Sequence, residues 1–174
     1  MPFAPPNPND PNPVPNPHPP TPAVKAFLDL VSWSEGTSIG PDNGYGVIVS
    51  GETGPNSFAD YSDHPFANGR PPIQVRPGLT STASGRYQLM LHWWLAYKAE
   101  LGLHDFSPAS QDAVAIQQMR ERHALPLVEE GNIQGAIFNC SNIWASFPGN
   151  SYGQGGKPLD ALTAQYATLL ENRS

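Results

Sequence analysis

The chain has 174 residues, enough for one compact domain of ordinary size once its proline-crowded start is left out of the core. Charged residues make up only 14% and the formal net charge is -6, so there is no basic cluster to neutralise a phosphate backbone, and nucleic acid is excluded as a partner. Cys140 is the sole cysteine, which rules out an intramolecular disulfide and leaves packing to hold the fold.

Residues 1–22 carry about half of the 21 prolines, interleaved with asparagine. That composition permits neither helix nor ladder pairing and predicts a flexible, extended tether, either a spacer or a solvated tail. The first residues lack the basic and apolar regions of a signal peptide, and no apolar run approaches the length of a membrane span, so no membrane insertion is expected. The folded domain is predicted over 23–174.

From Ala23, apolar residues Phe27, Leu28, Leu30, Val31 and Trp33 recur at helical spacing until Gly36 supplies a stop. Between Tyr45 and Tyr61 the segments YGVIVSG and SFADY, separated by ETGPN, predict a short hairpin or small sheet. The segment 66–78, FANGRPPIQVRPG, contains Pro71, Pro72 and Pro77 and is expected to be a lid-like loop rather than a strand. From Ser84 the helical period returns through Leu89, Met90, Trp93, Trp94, Tyr97 and Leu101, predicting the central buried helix with both tryptophans in the core. Ser107-Pro108 reads as an N-cap and first position of a helix to about Arg122. Shorter helices are predicted near Leu127, over 133–140 and over 160–170. The expected class is α+β, mainly helical with a small β-excursion after the first helix.

On a helical wheel Glu35 falls about 20° from Leu28 and about 40° from Val31, on the apolar face. Desolvation there disfavours the carboxylate, and the C-terminal end of a helix opposes a negative charge as well. Both effects favour a carboxylic acid able to protonate a leaving oxygen near neutral pH. The wheel alone equally admits a surface glutamate at a frayed helix end.

The stretches AFLDLVSWSEGT, DYSDHP, STASGRYQL, LGLHDFSPASQDAVAIQQ and CSNIWASFPG, in this order, resemble the endolysins of lambda-type phages from Val24 to about Gln154. The resemblance implies a lysozyme-like fold and a lytic transglycosylase acting on peptidoglycan glycan strands, with Glu35 of the SEGT motif as both acid and base. It also implies a protein made in a host bacterial cytoplasm without a signal peptide and active on the wall after release, as a monomer without cofactor. The family pattern places an aspartate after the tyrosine of its GY pair, where this chain has Gly46. A hydrolytic muramidase using Asp60 or Asp63 as partner, and a binding module without activity, are the alternatives.

The rest of the groove is expected from residues that stack on and hydrogen-bond to N-acetylated sugars. Tyr87 and Gln88, in a glycine-x-tyrosine-glutamine run similar to one found in wider lytic transglycosylase groups, would open a helix beside Gly85, with Tyr87 alternatively in the core. Trp144, Tyr152 and Gln154 lie in a glycine-rich segment suited to a movable wall, Trp144 being equally placed to pack beneath it. Tyr45 and Tyr61 would form the opposite lip. The five histidines show no paired ligand spacing, so no metal site is expected.

Overall fold

The computed structural model describes residues 19–149 and 156–173. Thr21 caps the first helix, α1 (Pro22–Glu35), by accepting a hydrogen bond from the Val24 amide at 3.3 Å, and Pro22 occupies its first turn, where no partner is needed for a backbone N–H. Gly36 ends the helix in the left-handed conformation (φ 77°), returning its N–H to the Ser32 and Trp33 carbonyls. Residues 1–18 of the expected tether lie outside the described residues, and Thr21 and Pro22 belong to the helix rather than to it.

After a 3₁₀ turn (Pro41–Gly44), strands β1 (Val47–Gly51) and β2 (Gly54–Ser57) pair antiparallel. Strand β2 begins at Gly54, so the connection is shorter than ETGPN and the FADY segment runs on outside the ladder. The helical remainder is α2 (Leu91–Leu101), α3 (Pro108–Glu121), α4 (Ala124–Glu129), α5 (Ile133–Cys140) and α6 (Leu159–Glu171). None of the described helices is long and apolar enough to cross a membrane.

Two expectations fail here. The segment 66–78 is not a loop throughout, because β3 (Ile73–Arg76) pairs antiparallel with β4 (Leu79–Ser81). Its prolines frame the strand instead of interrupting it: Pro71 and Pro72 precede β3, and Pro77 with Gly78 makes the turn, where no ladder hydrogen bond is asked of a proline nitrogen.

The second is the helix from Ser84. Ser84 and Leu89 instead exchange backbone hydrogen bonds at 3.0 and 2.9 Å, enclosing a turn in which Gly85 and Gln88 have φ of 80° and 52°. Left-handed residues cannot continue a right-handed helix, and α2 starts only at Leu91, whose amide is capped by the Thr82 hydroxyl at 3.0 Å.

The central buried helix is α1. Phe27, Leu28, Leu30 and Val31 are packed in one core with Met119, Val128, Ile137, Phe147, Leu162 and Tyr166. A smaller core gathers Leu89, Trp94, Tyr97, Phe106 and Val114, with Trp93 only partly buried at its edge. Helix α3 stands between the two, sending Val114 to one and Ala115 with Met119 to the other. His64 belongs on the smaller side, its Nε2 3.0 Å from the Leu89 carbonyl and its ring 4.8 Å from Phe106; burial pushes its pKa below 6.5. It is a neutral packing residue.

Gly85 is the tightest point of the turn. A Cβ there would stand 2.2 Å from Gln111 Oε1 and 3.2 Å from Phe106, at a φ that side chains also resist. Gly85→Ala is expected to lower stability by about 2–4 kcal/mol, the sum of left-handed strain and overpacking. Urea denaturation midpoints of parent and variant measure this directly.

Candidate active site

Glu35 is the last residue of α1, half-buried where the chain leaves the core. Its Oε1 accepts hydrogen bonds from the Ser146 hydroxyl at 2.6 Å and from the Ser146 amide at 3.4 Å. Burial raises the carboxyl pKa above the ordinary value of 4.5, and the two Ser146 hydrogen bonds oppose that rise without cancelling it. The wheel argument therefore holds in its physical content. The carboxyl is desolvated by burial at the end of the helix.

The chain after Glu35 is tied down at once. Thr37, buried, donates its hydroxyl to the Arg86 carbonyl at 2.6 Å and stands 2.9 Å from the Ser32 hydroxyl. This joins the end of α1 to the turn around Gly85. Arg86 reinforces the junction from its side chain, with Nη2 2.6 Å from Asp29 Oδ1 of α1 and Nη1 on the Asn43 carbonyl. Its guanidinium lies 5.2 Å from the centre of the Tyr45 ring. Asp29 also receives Arg173 after α6, Nε at 2.9 Å and Nη2 at 2.5 Å from Oδ2.

Asp112 of α3 brings two of the expected groove residues together. Its Oδ1 accepts from Tyr45 Oη at 2.8 Å and from Tyr87 Oη at 2.6 Å, and the two rings meet edge to face at 6.4 Å. Burial and the adjacent Asp112 charge push Tyr45 up to about 12 and Tyr87 well above its ordinary value. Tyr45 is half-buried, whereas Tyr87 is only 6% exposed and presents no ring outward. The core alternative is the one realised for Tyr87, because the turn points it inward onto α3. Gln88, in the same turn, spends its amide on the Gly85 carbonyl at 3.0 Å.

Tyr61 stacks edge to face with Phe58 at 5.3 Å and donates to Asp42 Oδ2 at 2.8 Å. Trp144 is 2% exposed and packs edge to face on Phe147 at 5.8 Å, which removes it from the sugar-stacking set. The packing alternative holds for it because the segment after α5 turns back onto the core. Tyr152 and Gln154 lie outside the described residues. Ser146, Ser34, Asp29, Arg86 and Asp112 were not singled out by sequence reasoning. Ser146 and Arg86 do fall within the stretches CSNIWASFPG and SGRYQL, but no pattern marks a serine as the partner of an acid 111 residues away.

The Endolysin family profile matches residues 25–171. The chain belongs to the Endolysin family. The endolysin of Escherichia phage lambda is 53% identical over 146 residues, covering 82% of this chain and 87% of that protein. The endolysin of Escherichia phage P2 is 51% identical over 150 residues, covering 83% and 91%. A solved structure of bacteriophage lambda lysozyme complexed with a chitohexasaccharide aligns with a TM-score of 0.80 and 49% identity, covering 87% of this chain and 96% of that one. The lysozyme-like α+β fold expected from the resemblance is thereby shown.

Within this endolysin Asp42, Asp60 and Asp63, three of the carboxylates that could partner Glu35, already hold structural hydrogen bonds, whereas Glu52 is exposed. Asp63 takes Trp94 Nε1 at 2.7 Å, Lys98 Nζ at 2.8 Å and the His64 amide at 2.8 Å, and these bonds hold its pKa below the ordinary carboxylate value despite partial burial. Asp60 is exposed and closes a local turn on the Ser62 amide at 2.9 Å. At Gly46 a Cβ would meet the Phe58 carbonyl at 2.7 Å and the Tyr61 hydroxyl at 3.2 Å, so this backbone has no room for the aspartate of the family pattern. Among the described residues no three His, Cys, Asp or Glu side chains gather as a metal set.

Proposed function

We propose that this endolysin is a peptidoglycan lytic transglycosylase in which Glu35 alone acts first as acid and then as base. The observation that carries the reading is a desolvated carboxyl at the end of α1 whose pKa is raised, with Asp60 and Asp63 bound into structural hydrogen bonds elsewhere. A hydrolytic glycosidase ordinarily needs two carboxyl groups on either side of the scissile bond.

Protonated Glu35 gives its proton to the glycosidic oxygen as the bond from the muramic acid C1 breaks, leaving an oxocarbenium-like centre. The C6 hydroxyl of the same sugar then bonds to C1, and its proton passes to Glu35. The products are a 1,6-anhydro-muramic acid end and a free N-acetylglucosamine 4-hydroxyl, with no water consumed and the acid regenerated. The chitohexasaccharide held by the related lambda lysozyme supports a glycan strand as the ligand. Tyr45 and Tyr61 remain the aromatic candidates for the cleft lip among the described residues, and Tyr152 and Gln154 would join them from the segment beyond Gly149. The protein is read as a monomer that meets the wall after release from the cell in which it is made.

Mass spectrometry of muropeptides released from purified wall tests the reaction. Products one water lighter than their hydrolytic counterparts are expected throughout the digestion. Reducing muramic acid ends as the primary product would overturn the transglycosylase reading in favour of hydrolysis.

A further inference from the structure

Glu35 has two oxygens, and an acid is useful only if its proton sits on the one facing the substrate. The described hydrogen bonds to it both fall on Oε1, and both come from Ser146. The backbone amide of Ser146 can only donate. Its hydroxyl could donate or accept, but the Ser34 hydroxyl donates to Ser146 Oγ at 2.7 Å, which turns the Ser146 proton toward Glu35. Two donors on Oε1 leave no acceptor there for an acid proton.

We propose that Ser146 and Ser34 are positioning residues for the reaction, a two-hydroxyl chain that reserves Oε1 for accepted hydrogen bonds and so places the exchangeable proton of Glu35 on Oε2. The proposal rests on the reading of Glu35 as acid/base. The surroundings hold the chain rigidly enough for this task. Ser34 is 6% exposed on α1. Ser146 is flanked by Trp144 and Phe147, both buried, and Phe147 packs edge to face on Phe27 of α1 at 6.0 Å. The Ser146 carbonyl is fixed in turn by the Lys157 amide at 2.9 Å.

The pH dependence has a definite sign. Hydrogen bonds donated to a carboxylate lower its pKa, so their removal raises it further. Activity requires protonated Glu35 in the free enzyme and is lost as pH rises through its pKa. Ser146→Ala is therefore expected to lower kcat about tenfold, the effect of losing a hydrogen bond to a charged group, with KM little changed and the alkaline limb of the pH profile displaced to higher pH. Ser146→Thr, which restores the hydroxyl, should recover most of the loss.

Ser34→Ala should cost less, roughly threefold in kcat by weakening rather than deleting the donor, and should cost nothing further when Ser146 is already alanine. That vanishing is the readout that simple packing damage would not produce. Steady-state kinetics on soluble peptidoglycan fragments across pH, with Glu35→Gln alongside, decides the matter. If Glu35→Gln is inactive while Ser146→Ala keeps the parent kcat and pH profile, the positioning role is wrong and the acid/base reading stands. Equal costs of Ser34→Ala in the parent and Ser146→Ala backgrounds also overturn it. Should Ser146→Ala not fold, an unmoved alkaline limb in Ser34→Ala is the overturning result. An active Glu35→Gln overturns both readings.

Discussion

Glu35→Gln is expected to reduce wall-degrading activity by roughly 10³-fold or more, within the range by which positioned general acids and bases accelerate proton transfer. The amide has nearly the same shape and keeps an oxygen for the Ser146 hydrogen bonds at 2.6 and 3.4 Å, so the fold and the groove stay intact. What it cannot do is release or recover a proton at the glycosidic oxygen. Turbidity loss of purified wall preparations measures the activity, and a sedimentation assay on the same material measures retained glycan binding. A variant that binds but does not cut isolates the chemistry in this one residue. A variant that clears walls as fast as the parent would show that the chemistry does not lie on Glu35.

A large loss of stability is expected from Arg86→Met. The Arg86–Asp29 pair, at 2.6 Å and with side chains only 10% and 20% exposed, is the most buried ion pair among the described residues. Methionine fills comparable volume but leaves the Asn43 carbonyl without its donor and Asp29 with Arg173 alone. Removing one partner of a buried pair costs about 3–5 kcal/mol, and the surviving Arg173 contact should hold the loss near the lower end. Chemical denaturation gives the number. Arg86 sits over Tyr45 and its carbonyl receives Thr37, so activity at moderate temperature is expected to fall with the loosening of that junction. The double variant with Arg173→Met should lose more than the sum of single losses, since Asp29 would then be a half-buried charge without any partner.

Much of this arrangement was legible in the residues themselves. The first helix and its glycine stop follow from apolar spacing at 3.6 residues per turn, because burial of Phe27, Leu28 and Val31 drives that segment, whereas the wheel admits Glu35 on either side and the contact with Ser146 decides it. Ser107-Pro108 announced α3 for equally local reasons. The segment 84–90 was misread because Leu89, Met90 and Trp93 mimic a helical stripe, while the left-handed backbone at Gly85 and Gln88 is set by pairing of Ser84 with Leu89 and by contact with Gln111. The prolines of 66–78 misled in the opposite direction, since their cost depends on whether they fall in the ladder or beside it.

The groove was less legible than the fold. Tyrosine and tryptophan suit a sugar face and a core equally well by composition. Tyr87 and Trp144 were drawn inward by contacts with α3 and Phe147 that no local pattern displays. Ser146 was invisible for the same reason. A hydrogen bond between residues so far apart in the chain leaves no periodicity to read.

That separation has a consequence in time. The acid at the end of α1 emerges from the ribosome 111 residues ahead of the serine that receives it. At roughly 5–20 residues per second, synthesis leaves an interval on the order of 5 to 20 s in which the SEGT segment exists without its counterpart. A truncated translation product ending between Glu35 and Ser146 carries the carboxyl but not the hydrogen bonds that Ser146 gives it. On the proposed roles of Glu35 and Ser146, competence arrives only after Ser146 is made and docks against α1, and shorter chains are expected to be poor catalysts.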